Sequence, residues 1–165
     1  MEYMFSPWRM KYVGREKEGE DCAFCSALEH AADKGSLIVH MGRQAYVILN
    51  LYPYTSGHLM TVPFKHCQRL DELEEEVLLE LMTLAKQASE VLEDVYKPQG
   101  FNLGMNVGKV AGAGIAEHLH LHIVPRWNGD ANFISVVGQT RVLPDGLEES
   151  HQRLSEAWKR LFPEE

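Results

Sequence analysis

One stretch limits what this chain can fold into more than any other: His118-Leu119-His120-Leu121-His122-Ile123-Val124. In a β-strand, residues two apart point to the same face. The three histidines therefore form one row, with neighbouring Cα atoms about 6.5–7 Å apart. Leu119, Leu121 and Ile123 take the other face, which must be buried. A solvated strand would not be expected to carry three imidazoles in strict alternation. Two readings of the row remain. It can bind a metal, because neutral imidazole is a common ligand, or it can hold a nucleophilic histidine oriented by its neighbours.

At 165 residues the chain is read as one domain, residues 1–165, with its own core. The formal net charge of −8 argues against binding nucleic acid through phosphate neutralisation. A nucleotide remains possible in a local pocket of donors. The first residues, Met1 to Arg9, lack the apolar core of a secretory leader, and no apolar run reaches membrane-spanning length. The expectation is a cytoplasmic protein without a membrane partner. Cys22 and Cys25 lie too close together to staple a domain. In a reducing compartment this C-x-x-C spacing points to metal or redox chemistry, with a pair of small core thiols as the plain alternative.

The chain opens with a polar arm over 1–21, in which Pro7-Trp8-Arg9-Met10 is a docking candidate. Short helical character is expected over Ser26–Ala32. Strands are expected over Leu37–His40, Ala45–Leu51 and His58–Pro63, joined as an antiparallel meander. The longest helix is expected over Asp71–Tyr96, started by an Asp71/Glu74 capping box and stopped at Lys97-Pro98. Its apolar stripe runs through Leu73, Val77, Leu81, Leu84, Ala85, Ala88, Leu92 and Val95. Phe101–Val107 is the fourth strand, followed by a glycine-rich loop, Gly108–Gly114. Glycines there permit positive φ and let backbone N–H groups approach an anion. No G-K-[ST] follows, so this is not a Walker loop. After the histidine strand, Arg126 is placed to meet phosphate and Trp127 to stack on a flat group. A last amphipathic helix is expected over 146–162. The fold class is α+β: a five-stranded antiparallel sheet with one long helix and a C-terminal helix.

These residues resemble the histidine-triad family of nucleotide hydrolases and transferases across nearly the whole chain. The resemblance rests on His118–Val124, on Asn50…Pro53…Gly57-His58…Pro63, and on the Asn106–Gly114 loop. Ser6–Met10 and Pro125–Phe133 are similar to the bacterial branch containing diadenosine tetraphosphate phosphorylases. The resemblance implies that His120 attacks the α-phosphorus of a nucleotide and carries a covalent nucleotidyl group. His122 would contact the phosphate and assist the leaving group. Backbone N–H groups at Gly114 and Ile115 would hold phosphoryl oxygens. Asn50 matches a ribose-contacting position, and Asn106 one facing the phosphate or leaving group. Many members carry Gly-Gln-Ser or Gly-Gln-Thr before the triad; here Ala113-Gly114-Ile115 supplies no hydroxyl.

The same resemblance implies a structural zinc held by Cys22, Cys25, His66 and His118, with no vacancy for catalysis. It also implies a homodimer and an adenine nucleotide substrate, and calls for no organic cofactor. The implied reaction is cleavage of a dinucleoside polyphosphate by water or inorganic phosphate. Alternatives are hydrolysis of phosphoramidates or mononucleotide conjugates, or nucleotide sensing without turnover. His58 is expected to be a hydrogen-bonded histidine beside the site. His30, His40 and His151 are expected at the surface, and Cys67 buried and inert.

Overall fold

Five antiparallel strands form one sheet in the order β1-β2-β3-β5-β4. In the computed structural model, residues 22–130 and 145–163 are described. The expected arm over 1–21 and the stretch Ala131–Phe133 lie outside them. The strands are β1 (Ile38–Met41), β2 (Ala45–Leu49), β3 (Leu59–Pro63), β4 (Gly100–Gly104) and β5 (Leu121–Arg126). The helices are α1 (Ala23–Glu29), α2 (Glu75–Tyr96) and α3 (Leu147–Leu161).

The two faces of the sheet are divided by strand parity. Val47, Leu49, Leu59, Leu121 and Ile123 join the main core with Val77, Leu81, Leu84, Ala85, Ala88 and Leu92 of α2 and Leu154 and Trp158 of α3. The opposite face carries Tyr46, Ile48, Met60 and Val62, which pack with Phe24 of α1 and with Ile38. On β5 the cross-strand partners are Met60↔His122 and Leu59↔Ile123. His122 therefore belongs to the α1 side.

The histidine segment differs from a uniform strand. Ladder pairing begins at Leu121, not His118, and runs on to Arg126. Extending the register puts Leu119 opposite Pro63, which has no N–H for the Leu119 carbonyl and whose own carbonyl accepts from His118 Nε2. The Leu119 N–H goes to the Cys67 carbonyl at 2.7 Å. His118 and His120 thus sit in an extended lead-in, and both are buried. Leu119, Leu121 and Ile123 are buried as expected, and so are two of the three histidines.

The start of α2 also differs. Leu70–Glu72 forms a separate 3₁₀ turn, and the helix begins at Glu75 after an N-cap residue, Glu74, that makes no side-chain cap bond. The capping box does not form because the Asp71 carboxylate is taken by Arg69 at 2.8 and 2.9 Å. The stop is as expected: Lys97 adopts φ 48 as the C-cap, directly before Pro98. α1 begins at Ala23 rather than Ser26, which brings Cys25 into the helix. β4 ends at Gly104, before Asn106 and Val107. On α3, Leu154 and Trp158 are buried while Leu161 is 40% exposed. His40 and His151 are not plain surface residues: His40 stacks on Trp158 at 4.6 Å, and His151 donates from Nε2 to the Ile38 carbonyl at 2.8 Å.

Gly57 ties this scaffold to the site. Its φ is +76, and a Cβ there would lie 2.8 Å from atoms of both Leu92 and Tyr96 on α2. Gly57→Ala should lower stability by ~2 kcal/mol or more, or several degrees in thermal midpoint. It should also slow turnover, because the next residue is His58. Calorimetry and rate measurements on one preparation check this; an unchanged midpoint would mean that the loop yields freely.

Candidate active site

Hydrogen bonds determine which nitrogen of each imidazole carries a proton. The Tyr54 backbone N–H donates to His58 Nδ1 at 3.1 Å, and Asn50 Nδ2 lies 3.3 Å from the same atom. His58 Nδ1 is therefore an acceptor, and Nε2 holds the hydrogen. His58 Nε2–H then donates to His122 Nδ1 at 3.0 Å. That bond makes His122 Nδ1 the acceptor and leaves its proton on Nε2. His120 Nδ1–H donates to the His118 carbonyl at 2.8 Å, so its Nε2 keeps the lone pair. His118 Nε2–H donates to the Pro63 carbonyl at 2.9 Å, so its lone pair is on Nδ1. Across His120 and His122, whose rings lie 4.8 Å apart at 81°, one Nε2 is basic and the other is a donor. Such a pair can attack an electrophile with one nitrogen and donate a hydrogen bond to a departing oxygen with the other.

Burial disfavours the charged form of His58, His118 and His120. His58 is pushed down to about 3, first by desolvation and then by His122 and His120. His120 is also lowered, chiefly by burial, against the opposing pull of its bond to the His118 carbonyl. A neutral His120 is the form that has a nucleophilic lone pair. The linkage has a definite sign. The unfolded chain takes up protons below about pH 6.5 while folded His58 does not. Stability is therefore full above about 6.5 and is lost as pH falls towards 3. Between pH 7.5 and 5 His58 alone should cost on the order of 2 kcal/mol. Urea midpoints at the two pH values measure this, and His58→Gln should shrink the difference; a flat profile would contradict the burial of a neutral ring.

A second group adjoins the first. Donor atoms of Cys22, Cys25, His66 and His118 all lie within 4.8 Å of one another. His118 Nδ1 is 3.4 Å from Cys22 Sγ and 3.6 Å from Cys25 Sγ, and His66 Nδ1 is 3.4 Å from Cys25 Sγ. A tetrahedral ion with Zn–S of ~2.3 Å and Zn–N of ~2.0–2.1 Å spaces neighbouring S and N donors about 3.5–3.6 Å apart. The three measured edges fit that figure. His118 also meets the further requirement that a ligating imidazole donate its other N–H, here to Pro63.

The remaining expected site residues are placed as follows. Asn50 has Oδ1 accepting from the Tyr52 N–H at 2.9 Å and Nδ2 directed at His58. Asn106 donates from Nδ2 to the Gly112 carbonyl at 3.4 Å, bracing the glycine loop. Gly108 and Gly112 of that loop have φ of 87 and 93. Gly114 is exposed just ahead of the histidines, whereas Ile115 packs partly against the Phe24 cluster. Arg126 and Trp127 are held by internal bonds. The Arg126 guanidinium makes bonds of 2.5 and 2.9 Å to Asp130 and one of 2.7 Å to Asn102. Trp127 Nε1–H donates to the Tyr96 carbonyl at 3.4 Å.

Two aromatic residues next to the histidines were not singled out in the sequence. The Tyr54 ring lies 4.5 Å from His58 and 5.9 Å from His122. The Phe24 ring lies 4.9 Å from His120 and 5.5 Å from His118. The only cue in the sequence was position: Phe24 inside the C-x-x-C and Tyr54 in the loop before His58.

A family profile described as HIT domain matches residues 33–129. A protein named AP-4-A phosphorylase from Mycobacterium tuberculosis is 37% identical over 97% of this chain and 86% of its own length. The asymmetrical bis(5'-nucleosyl)-tetraphosphatase of Schizosaccharomyces pombe is 30% identical over 58% of this chain and 52% of its own. Among solved structures, a zinc-bound histidine triad family protein from Mycobacterium smegmatis superposes with a TM-score of 0.69 at 28% identity, covering 86% of this chain and 95% of the other. A hypothetical histidine triad nucleotide-binding protein from Sulfolobus tokodaii also gives a TM-score of 0.69, at 30% identity, with 85% and 93% covered.

Proposed function

The chain belongs to the HIT domain family, and from that premise we propose that it cleaves a dinucleoside polyphosphate by two displacements through His120. The observation that carries this reading is the proton arrangement: a lone pair on His120 Nε2 beside a hydrogen on His122 Nε2. In the first displacement His120 Nε2 bonds to the α-phosphorus. The bond from that phosphorus to the bridging oxygen breaks, and His122 Nε2–H donates a hydrogen bond to the departing oxygen, which leaves as a polyphosphate anion and needs no proton. In the second, water or inorganic phosphate attacks the same phosphorus while His122 Nε2–H holds a phosphoryl oxygen, and any proton the attacking oxygen carries passes to solvent. The P–N bond breaks and His120 regains its lone pair. With diadenosine tetraphosphate the leaving group is ATP, and the second product is AMP with water or ADP with phosphate.

Similarity over 97% of the chain to a protein named AP-4-A phosphorylase supports phosphate as the acceptor. Gly108 and Gly112 support a loop whose backbone can approach phosphoryl oxygens at Gly114 and Ile115. Asn50 is read as facing the ribose and Asn106 the phosphate or leaving group. Zinc belongs to the same reading, held by Cys22, Cys25, His66 and His118; its support is the donor spacing and the zinc-bound relative. Bound there, zinc would supply rigidity rather than a Lewis acid at the phosphorus. Pairing of two copies is also part of the reading. The outer edge of β4 ends the sheet, and Leu103 on it is 47% exposed, so a second copy could extend it. A cytoplasmic location is part of the same reading; its support is the reduced thiol pair that the Cys/His group calls for.

The test is incubation with diadenosine tetraphosphate, with and without inorganic phosphate, and identification of the products. ATP with ADP only when phosphate is present supports phosphorolysis; ATP with AMP regardless of phosphate supports hydrolysis. Tight binding with neither product would overturn the enzymatic reading in favour of a sensor.

A further inference from the structure

We infer that Phe24 is a positioning residue, whose ring, with its backbone anchored by Tyr46, sets the orientation of the His120 imidazole and links it to the Cys22/Cys25/His66/His118 group. The inference rests on His120 acting as in the reading above.

Among the described residues, one hydrogen bond, from Nδ1 to the His118 carbonyl, fixes one atom of the His120 ring and leaves its plane free to rock. Two ring contacts restrain that plane: His122 at 4.8 Å and 81°, and Phe24 at 4.9 Å and 49°. The His122 Nε2–H is engaged by substrate oxygens in each displacement, so its own bonds change during turnover. Phe24 is 4% exposed, apolar, and has no proton to exchange. It is therefore the restraint that stays constant through the cycle.

The position of Phe24 is itself secured at two points. It lies between Cys22 and Cys25 in the sequence, so two of the metal-donor residues bracket it in α1. Its carbonyl accepts the Tyr46 hydroxyl at 2.8 Å, and Tyr46 is fully buried on β2 beneath α1. The same ring meets His118 edge-on at 5.5 Å and 72°. Phe24 therefore touches both a candidate ligand of the Cys/His group and the candidate nucleophile. A displacement of about 1 Å at a reacting group can cost on the order of 100-fold in rate. A flat, buried wall against the attacking ring is a way to prevent one.

The test uses the full chain and two substitutions. Phe24→Leu keeps an apolar side chain but removes the flat face, and Tyr46→Phe keeps the ring but removes the hydroxyl. Three quantities are measured: zinc content, the KM and first-turnover rate of adduct formation, and the imidazole ¹⁵N signals that report which nitrogen of His120 bears hydrogen. For Phe24→Leu the expected result is adduct formation slowed by ~10–100-fold with KM changed far less. The His120 signals should move from one tautomer towards a mixture while zinc content holds. Tyr46→Phe should shift rate and signals the same way but less, and the double variant should be no slower than Phe24→Leu alone, since both act along one path.

A raised KM with unchanged adduct formation would overturn the inference, because Phe24 would then be touching substrate. Unchanged rates and signals would overturn it too. If Phe24→Leu loses its metal or its fold, Tyr46→Phe decides by the same measurements. If the wild-type protein forms no adduct at all, the reading of His120 fails, and the imidazole signals still decide whether Phe24 orients the ring.

Discussion

His120→Ala should abolish adduct formation and lower turnover by at least ~10⁴-fold, the scale seen when a nucleophile is removed from a preorganised site. The expected size follows from the division of labour among the imidazoles. His118 has its Nδ1 directed at Cys22 and Cys25, and its Nε2–H given to Pro63. His58 has Nδ1 filled by the Tyr54 N–H and Nε2–H given to His122. His122 carries its hydrogen on Nε2 as a consequence. His120 is the ring whose Nδ1–H bond to a carbonyl leaves a basic Nε2 next to that donor. The adduct would have a P–N bond, labile to acid and stable to base, which separates it from a phosphoester. A chiral α-phosphorothioate should emerge with retained configuration, because two in-line displacements invert twice. His120→Gly with added imidazole should recover part of the rate, since the small molecule can occupy the vacated space. His122→Ala should slow adduct formation by ~10²–10³-fold without abolishing it, the range for loss of a preorganised hydrogen-bond donor. Clean inversion at phosphorus, or full activity of His120→Ala, would remove His120 as the nucleophile.

The sequence reveals most where one local pattern decides the outcome. Alternation placed the histidines together, and helical period placed Val77, Leu81, Leu84, Ala85, Ala88 and Leu92 in the core. The Cys22, Cys25, His66 and His118 group was named from resemblance, and the structure brings those four together. Features that depend on distant competition were less legible. The triad leaves the ladder because Pro63, on another strand, has no N–H for the Leu119 carbonyl and gives its own carbonyl to His118, while the Leu119 N–H finds the Cys67 carbonyl. The capping box fails because Arg69 takes the Asp71 carboxylate first. His151 looked like a surface residue because nothing near it in sequence signals that Ile38, 113 residues away, will accept its proton. Arg126 was expected to meet phosphate, and the structure adds a partner the sequence did not signal: Asp130, four residues on, accepts two bonds from its guanidinium. Phe24 was hidden for a related reason: its neighbours, two cysteines, have the more conspicuous chemistry.

Removing the metal donors should have the second large effect, and it should appear in stability before it appears in chemistry. Cys22→Ala is expected to lose the bound zinc and to lower the thermal midpoint by ten degrees or more, as coupling of structural zinc to folding predicts. The location of the group explains the size. The segment carrying His118 and His120 lies outside the ladder, because β3 ends at Pro63 and β5 begins at Leu121. Two backbone or side-chain bonds hold the lead-in directly: Leu119 N–H to Cys67, and His118 Nε2–H to Pro63. A four-donor centre joining α1, the turn after β3 and His118 supplies the cross-link that strand pairing does not. Without an ion, two thiols and two imidazoles are left with S···N separations of 3.4–3.6 Å and weak mutual bonds. α1 would then lose its tie to the histidine segment, and with it the position of Phe24. Cys67→Ala is the control: Cys67 is buried outside the group, so it should cost packing stability and leave zinc content unchanged. Metal analysis, melting curves with and without chelator, and activity per folded molecule complete the test. Zinc-free protein melting at the same temperature as the wild type would show that the lead-in holds itself, and the centre would lose its structural role.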